Sequence, residues 1–209
     1  MDEAQSQLFR ELEIPPKFLD YREGQELSVQ QVLTAFSTKP IVLAELPTGS
    51  GKTLIGVIIH KLLEEKMTYV CTTKTLQEQF LKDFPTAVLL KGRGNYPCNK
   101  LATQWPQLTA EHCPSTKEDA CPSDCPYRQA KTNALRADIA VVNTAYWLSE
   151  VNYVGMFSNR PLVVLDEVDT LESQLMNHVQ VTISQTQLES LRIPPPAFKT
   201  KFESWLEGG

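Results

Sequence analysis

The sequence lacks both a long apolar run and an excess of basic residues. No hydrophobic stretch approaches the roughly 20 residues of a membrane span. The acidic, mixed start over residues 1–13 has neither the basic beginning nor the apolar core of a secretory signal. We therefore expect a cytoplasmic protein, or a nuclear one in a eukaryote. With a formal net charge of -5 over 209 residues, any nucleic-acid site must be a local patch.

Paired C-x2-C knuckles, which are typical of structural zinc, are also missing from the sequence. Cys98, Cys113, Cys121 and Cys125 lie in one irregular segment, with 14, 7 and 3 residues between successive members. Cys71 stands apart in an apolar run, and we interpret it as a buried thiol. In a reducing compartment, grouped cysteines indicate metal ligands before disulfides. Four thiolates suit an iron-sulfur cluster or zinc, and on the residues alone these two and free thiols remain open.

Between residues 41 and 166, short β-rich runs alternate with helix-like segments. Most of these runs are too apolar for a half-exposed strand, so the alternation predicts an α/β fold with a parallel sheet covered by helices. A 42% apolar composition is enough for one large domain. The predicted strands are Ile41–Glu45, Thr68–Thr72, Ala87–Leu90, Asp138–Val142 and Leu162–Leu165, and the predicted helices are Leu27–Phe36, Lys52–Lys66, Leu76–Asp83, Arg128–Arg136 and Tyr146–Glu150.

One segment, residues 92–127, interrupts this alternation. Pro, Cys, Thr, Asp and Asn are frequent there, and apolar periodicity disappears. A loop of this length without a core of its own needs another source of order, such as a metal centre. We expect residues 1–91 and 128–176 to form one domain, residues 92–127 to form an insertion within it, and residues 177–209 to begin another domain or to be a truncated tail.

A phosphate-binding loop is predicted between the first strand and the helix that follows it. Gly49 and Gly51 let backbone amides approach the phosphates, while Lys52 reaches the β and γ phosphates and the Thr53 hydroxyl is placed to ligate Mg²⁺. The strict pattern has Gly where this chain has Leu46, so the match is to a relaxed form. The residues assigned to nucleotide binding here are Pro47, Thr48, Gly49, Ser50, Gly51, Lys52 and Thr53.

Acidic residues directly follow the last apolar strand. Asp166 and Glu167 come after Leu162–Leu165, and ligands bind at the carboxyl ends of strands in open α/β sheets. Together with the phosphate loop, this predicts that Asp166 binds Mg²⁺ and that Glu167 orients the water attacking the γ-phosphate. Near the front, Gln25 offers an amide that suits an adenine edge. An ordinary polar helix start explains the same residue equally well.

Together these motifs resemble the XPD/DinG family of superfamily 2 helicases over roughly residues 21–170. The loop resembles motif I, and Asp166 to Asp169 resembles the DEAH-type motif II, with Asp169 in place of the usual histidine. Arg22 and Gln25 match the adenine-reading segment. The resemblance implies a RecA-like motor domain that hydrolyses ATP, 5′ to 3′ polarity, and a parent protein acting in DNA repair or replication.

Three further segments carry the resemblance. Residues 91–98 are similar to the beginning of the family's cluster domain, which implies that Cys98, Cys113, Cys121 and Cys125 hold a [4Fe-4S] cluster. Residues 72–77 resemble motif Ia, and residues 137–144 resemble the strand and turn before motif II. In the family both of these segments face single-stranded DNA. The matching DNA-facing positions are Thr73, Lys74, Asn143 and Thr144.

A local basic excess supports DNA contact. Residues 52–100 carry eight lysines and arginines against four acidic residues, although the whole chain is acidic. Lys74, Arg93 and Lys100 are placed to neutralise phosphates, and Tyr96 offers a ring on which a base can stack. We therefore expect binding of single-stranded and forked DNA that tolerates any sequence and weakens with salt.

A motor of this type hydrolyses ATP between two RecA-like domains, one of which supplies an arginine to the transferring phosphate. Only 40 residues follow Asp169, so we expect a second motor domain to act in cis or in trans, and residues from 179 onward to begin an arch domain. The chain alone should hydrolyse ATP slowly and fail to unwind duplex DNA. Two alternatives stay open: a non-catalytic module that binds single-stranded DNA, and another P-loop ATPase or kinase with a zinc-ordered lid.

Overall fold

The computed structural model describes residues 3–102, 104–113, 124–180 and 184–192. The chain consists of two compact units, Met1–Gln174 and Leu175–Gly209. The first unit contains the β-sheet, and the described part of the second is helical. The α-helices are α1 (Glu3–Glu11), α2 (Gln25–Phe36), α3 (Lys52–Leu63), α4 (Lys74–Asp83), α5 (Asn99–Ala102), α6 (Pro126–Arg136), α7 (Thr144–Ser149), α8 (Leu171–Val179) and α9 (Gln185–Leu191).

The sheet has four strands in the order β2-β3-β1-β4, and every pair is parallel. Each strand begins within one residue of a predicted strand, which confirms the expected α/β fold with a parallel sheet. The carboxyl ends of parallel strands meet at one edge of the sheet, so residues that follow β1, β3 and β4 lie near one another. The strands are β1 (Met67–Cys71), β2 (Val88–Leu89), β3 (Ile139–Asn143) and β4 (Leu162–Leu165).

Helices pack on both faces of this sheet. Successive strand residues point to opposite faces, and β1 shows the alternation, because Tyr69 belongs to one buried cluster and Val70 to another. Helices α2, α3 and α4 contribute Val29, Ile58 and Phe80 to the first cluster. Helix α6 contributes Ala134 to the second, against which residues of α7 also pack. The buried interior therefore fixes which side of the sheet each helix covers.

One predicted strand, Ile41–Glu45, is wrong. Residues 41–47 form neither helix nor strand, and the side chains of Ile41 and Leu43 are 84% and 78% exposed. A strand needs a hydrogen-bonded neighbour, and neither of the two outer strands of the sheet, β2 and β4, pairs with this segment. Apolar, β-branched composition supplies the tendency to form a strand but not the partner, so the segment before the phosphate loop stays unpaired with any described strand.

A buried arginine, which the sequence does not single out, links the starts of β1 and β3 by hydrogen bonds. Arg160 is 3% exposed and all five of its N–H donors have acceptors. Burial lowers the pKa of Arg160 from its ordinary value. Its partners, one hydroxyl and four backbone carbonyls, lie at the start of β1, before β3 and at the end of α6: Thr68, Met67, Asp138, Ala134 and Ala137.

The described helices include none that is both long and apolar enough to cross a membrane. The longest of them, α2 and α3, have 12 residues each.

Candidate active site

The phosphate loop continues directly into the first turn of α3. Gly49 and Gly51 adopt φ values of 82° and 78°, in the left-handed region that favours glycine. Helix α3 then begins at Lys52, whose side chain is exposed. The free amides at a helix N-terminus attract anions, so the loop has the geometry expected for binding phosphate groups.

Arg22 and Gln25, from the segment before α2, hold the phosphate loop. Arg22 Nη1 donates to the carbonyl of Gly49 at 3.0 Å, and Gln25 Nε2 donates to the carbonyl of Ser50 at 2.6 Å. Gln25 Oε1 accepts from the Arg22 backbone N–H at 2.7 Å, and the Gln25 side chain is 1% exposed. The two residues therefore fix the loop conformation in this structure, and adenine recognition by Arg22 and Gln25 stays a prediction.

The structure brings together the two side chains predicted to ligate Mg²⁺. Asp166 continues the pairing of β4 with β1, since its N–H donates to the Val70 carbonyl at 3.0 Å. The hydroxyl of Tyr69 donates to Asp166 Oδ2 at 2.9 Å and lies 3.4 Å from Thr53 Oγ1. A hydroxyl and a carboxylate are hard oxygen donors of the kind that Mg²⁺ prefers, so Thr53 and Asp166 fit the proposed cation.

The sequence does not predict a role for Tyr69 at this site. It lies in the middle of β1, where its apolar neighbours indicated only a buried strand. Burial raises the pKa of Tyr69 above its ordinary value, with the Asp166 carboxylate as a second cause. Tyr69 therefore stays a hydrogen-bond donor at neutral pH.

Glu167 is held beside Asp166 in an unusual backbone conformation. Its φ and ψ are both 51°, in the left-handed region, which is strained for a residue with a Cβ. The Glu167 N–H donates to Asp166 Oδ1 at 3.0 Å, and Glu167 Oε2 accepts from the Thr72 hydroxyl at 2.9 Å. A shallow pocket here is lined by Thr72, Thr144 and both acidic residues. Asp169 is exposed in the 3-10 turn that follows.

Two of the four grouped cysteines are buried, and the residues next to them are hydrogen-bonded to each other. Cys98 and Cys125 are 3% and 7% exposed, and the residues beside them are linked, since Asn99 Nδ2 donates to the backbone and side chain of Asp124 at 3.0 Å each. The Cys113 N–H donates to the Ala110 carbonyl at 3.3 Å within the same insertion.

The predicted four-cysteine site lies only partly within the described residues. Cys121 lies outside the described residues. Within the described ranges, no group of three or more His, Cys, Asp or Glu side chains is placed to hold a metal ion. The thiolate donor set suits a cluster chemically, and the ligand assignment stays a prediction.

The predicted DNA-facing residues fall into two groups. Thr73 and Lys74 are exposed at the start of α4, where the Thr73 hydroxyl caps the helix by accepting from the Leu76 N–H at 3.3 Å. Arg93 is also exposed, and its guanidinium lies 5.8 Å from the ring centre of Tyr127. Thr73, Lys74 and Arg93 are therefore accessible to a ligand.

The second group has packing or capping contacts within the protein. The Tyr96 hydroxyl accepts from the Lys91 N–H at 3.1 Å, and its ring packs against Tyr127. Asn143 caps α7, since its side-chain oxygen accepts from the Tyr146 N–H at 2.7 Å, and Thr144 is 4% exposed. DNA contact by Tyr96, Asn143 and Thr144 stays a prediction.

Comparison with known proteins identifies the family. Residues 22–200 match the model of the DEAD/DEAH box helicase family, which covers most of the chain, including the phosphate loop and the acidic pair. The chain belongs to the DEAD/DEAH box helicase family.

Two curated relatives are similar to parts of this chain. A probable ATP-dependent helicase of Methanocaldococcus jannaschii is 23% identical over an alignment 198 residues long, which covers 78% of this chain and 30% of that protein. The 3'-5' exonuclease DinG of Bacillus subtilis is 37% identical over an alignment 93 residues long, which covers 37% of this chain and 10% of that protein. The chain thus spans less than a third of the length of either relative, so the activity of a whole helicase is not assigned to it by similarity.

Proposed function

We propose that this chain is the ATP-binding portion of the motor of an ATP-dependent DNA helicase. The observation that carries the proposal is the convergence of two separated motifs, in which Thr53 of the phosphate loop and Asp166 after β4 both lie within 3.4 Å of the Tyr69 hydroxyl. If the glycine turn and the acidic turn had unrelated roles, there would be no reason for Thr53 and Asp166 to lie so close together. Membership of the DEAD/DEAH box helicase family supports the same function.

Each residue of the site has a separate task in ATP hydrolysis. Lys52 and the backbone amides at the start of α3 bind the phosphate groups. Thr53 and Asp166 would hold Mg²⁺, which when bound would neutralise charge on the phosphate groups. Glu167 orients the attacking water through a hydrogen bond to its carboxylate, in line with the bond to be broken. These assignments place Lys52, Asp166 and Glu167 as the catalytic residues.

Single-stranded DNA is the proposed polymer substrate. Thr73 and Lys74 are exposed directly after β1, at the same sheet edge as Asp166 and Glu167. Lys74 offers a charge for the phosphate backbone, and α4 begins at this point, so its free amides add to the attraction. Because the chain corresponds to 30% of the archaeal relative, a second motor domain in cis or in trans is the proposed source of the arginine needed for full turnover.

ATP turnover by the chain with and without single-stranded DNA tests this function. We expect slow hydrolysis that single-stranded DNA accelerates, and no duplex unwinding by the chain alone. Lys52→Ala should abolish turnover and weaken nucleotide binding. Nucleotide binding without any turnover, under both conditions, would instead favour the non-catalytic DNA-binding module. Phosphate transfer to an added acceptor would indicate a kinase.

The cysteine-rich insertion is the proposed site of a [4Fe-4S] cluster held by Cys98, Cys113, Cys121 and Cys125. Its support is the burial of Cys98 and Cys125 and the Asn99–Asp124 hydrogen bonds that link their flanks. Iron, sulfide and zinc should be quantified after anaerobic purification. About four irons and four sulfides per chain would support the cluster. One zinc without sulfide would leave the ATP site intact and replace the cluster by a zinc-ordered lid.

A further inference from the structure

The side chain of Tyr69 is buried in the core between helix α3 and the part of the sheet where β1 pairs with β4. Tyr69 is 2% exposed and pairs in register with Val141 on one side and Val164 on the other. Its ring packs against Phe80 with a centroid separation of 4.4 Å. A buried ring has few rotamers to choose from, so the position of its hydroxyl is determined by the packing of the sheet.

This hydroxyl contacts both motifs, the phosphate loop through Thr53 and the acidic pair through Asp166. It donates its single proton to Asp166 Oδ2 at 2.9 Å, because an ionised carboxylate can only accept. Its oxygen then remains open to accept from the Thr53 hydroxyl, which is 3.4 Å away. The remaining oxygen of Asp166 accepts from the Glu167 N–H at 3.0 Å. Both oxygens of the Asp166 carboxylate are thus oriented by the protein itself.

The direction of these hydrogen bonds matters for a cation. A threonine hydroxyl that ligates Mg²⁺ must turn a lone pair toward the metal, so its proton needs an acceptor elsewhere. If the single proton of the Tyr69 hydroxyl is on Asp166, its oxygen, 3.4 Å from Thr53 Oγ1, is left to accept the threonine proton. Groups that orient metal ligands in this way raise metal affinity, and their loss costs about 10- to 100-fold.

We propose that Tyr69 is a positioning residue for Mg²⁺, acting through Thr53 and Asp166 at once. The inference rests on the proposed function, because it requires that the site bind Mg·ATP. It goes beyond that function because it gives a strand residue, which lies outside both motifs, the task of setting the geometry of the cation site. Tyr69 itself does not touch the cation or the phosphate groups.

Tyr69→Phe removes only the hydroxyl and keeps the packed ring. The binding of a fluorescent ADP should be titrated with the full chain as a function of Mg²⁺, and again in EDTA without metal. We expect the Mg²⁺ concentration at half effect to rise about 10-fold in Tyr69→Phe, with the metal-free affinity for ADP unchanged. Tyr146→Phe is the matched control, since it also removes a part-buried phenol hydroxyl, one that faces Tyr127 instead of the site. It should keep the wild-type Mg²⁺ requirement.

Three outcomes would overturn the inference. An unchanged Mg²⁺ requirement in Tyr69→Phe would show that the hydroxyl does not position the ligands. An equal loss of ADP affinity with and without metal would show that Tyr69 acts through packing alone. A wild-type chain that binds no nucleotide under any condition would overturn the proposed function as well, and this arm does not depend on the variant.

A second measurement keeps the hydroxyl and covers the case in which Tyr69→Phe does not fold. With 3-fluorotyrosine at position 69, the fluorine resonance should move when Mg·ADP is added and should move much less with ADP in EDTA. The same label at position 146 should respond to neither. A resonance at position 69 that is insensitive to Mg²⁺ in the presence of bound ADP would contradict the proposed role.

Discussion

The hydroxyl of Thr72 donates a 2.9 Å hydrogen bond to Oε2 of Glu167. Thr72 follows β1 and Glu167 follows β4, two strands that pair directly in the sheet. The contact therefore joins the proposed water-orienting carboxylate to the segment that continues into Thr73 and Lys74, the proposed DNA contacts. A change in the conformation of this segment would therefore act on Glu167 directly, through the hydrogen bond from Thr72.

Thr72→Val should lower the rate constant of ATP hydrolysis and leave the affinity for nucleotide unchanged. A hydrogen bond to a charged group contributes about 1.5–3 kcal/mol, but Glu167 is exposed, so we expect a loss of about 3- to 10-fold. Steady-state kinetics would separate kcat from KM, and fluorescent ADP binding would report affinity. Thr72→Ser keeps the hydroxyl and should retain the wild-type kcat. A higher kcat in Thr72→Val would mean that the contact restrains Glu167.

The phosphate loop and the acidic pair could be predicted from the sequence because each depends on neighbours in the chain. Glycines before a helix and acids after an apolar strand are local patterns. The tasks of Tyr69 and Thr72 depend instead on β1 and β4 being adjacent, and these strands are separated by about 90 residues of sequence. Thr72 begins the segment that resembles motif Ia, but no local pattern indicated its contact with Glu167 or any role for Tyr69.

The same distinction explains the one strand that was wrongly predicted. The composition of Ile41–Glu45 satisfies every local requirement of a strand, whereas pairing is a property of the whole sheet. Arg160 is the opposite case, because a lone arginine in a loop gives no sign that it will be buried against four carbonyls. Local propensity thus predicted where strands begin but not which groups they meet.

Gly51→Ala should disturb the phosphate loop more than Gly24→Ala. Both glycines have positive φ, 78° and 77°, so both variants carry a left-handed alanine, at about 1–2 kcal/mol. A Cβ on Gly51 would in addition lie 2.2 Å from Gln25 Nε2, whereas nothing lies within 4 Å of one on Gly24. Gly51→Ala must therefore displace the Gln25 amide from the Ser50 carbonyl.

Urea unfolding and fluorescent ADP binding measure the two consequences. We expect Gly51→Ala to lose about 1 kcal/mol more unfolding free energy than Gly24→Ala, the usual value of a hydrogen bond, and to bind ADP more weakly. Gly24→Ala should bind ADP as the wild type does. Similar ADP affinities in the two variants would show that Gln25 does not determine the loop conformation.

Cys121→Ser should release the proposed cluster and weaken DNA binding more than ATP binding. In this proposal, metal binding would take the place of a hydrophobic core in the insertion, so its loss should loosen that segment first. Cys71→Ala is the control, because Cys71 is fully buried in β1 and burial raises the pKa of its thiol to about 12. It should keep the visible absorption and the iron content. An equal loss of DNA and ATP affinity in Cys121→Ser would indicate global unfolding instead.

His60 should make the fold sensitive to mild acid. It is 5% exposed near the end of α3, and burial lowers its pKa from the ordinary value of about 6.5 despite the hydrogen bond between Nδ1 and the Glu65 carbonyl. Between that lowered pKa and about 6.5, the unfolded chain binds more protons than the folded one. Unfolding free energy therefore falls as the pH drops through this window and is retained above it.

Urea unfolding of the wild type, His60→Gln and His112→Gln at pH 7.5 and pH 5.5 tests this assignment. Glutamine cannot titrate, so His60→Gln should lose less unfolding free energy on acidification than the wild type, although it is less stable at pH 7.5 because the buried ring is gone. His112 is exposed in the insertion, and its replacement should leave the acid dependence as it is in the wild type. If His60→Gln shows the full acid dependence, the titrating group lies elsewhere in the chain.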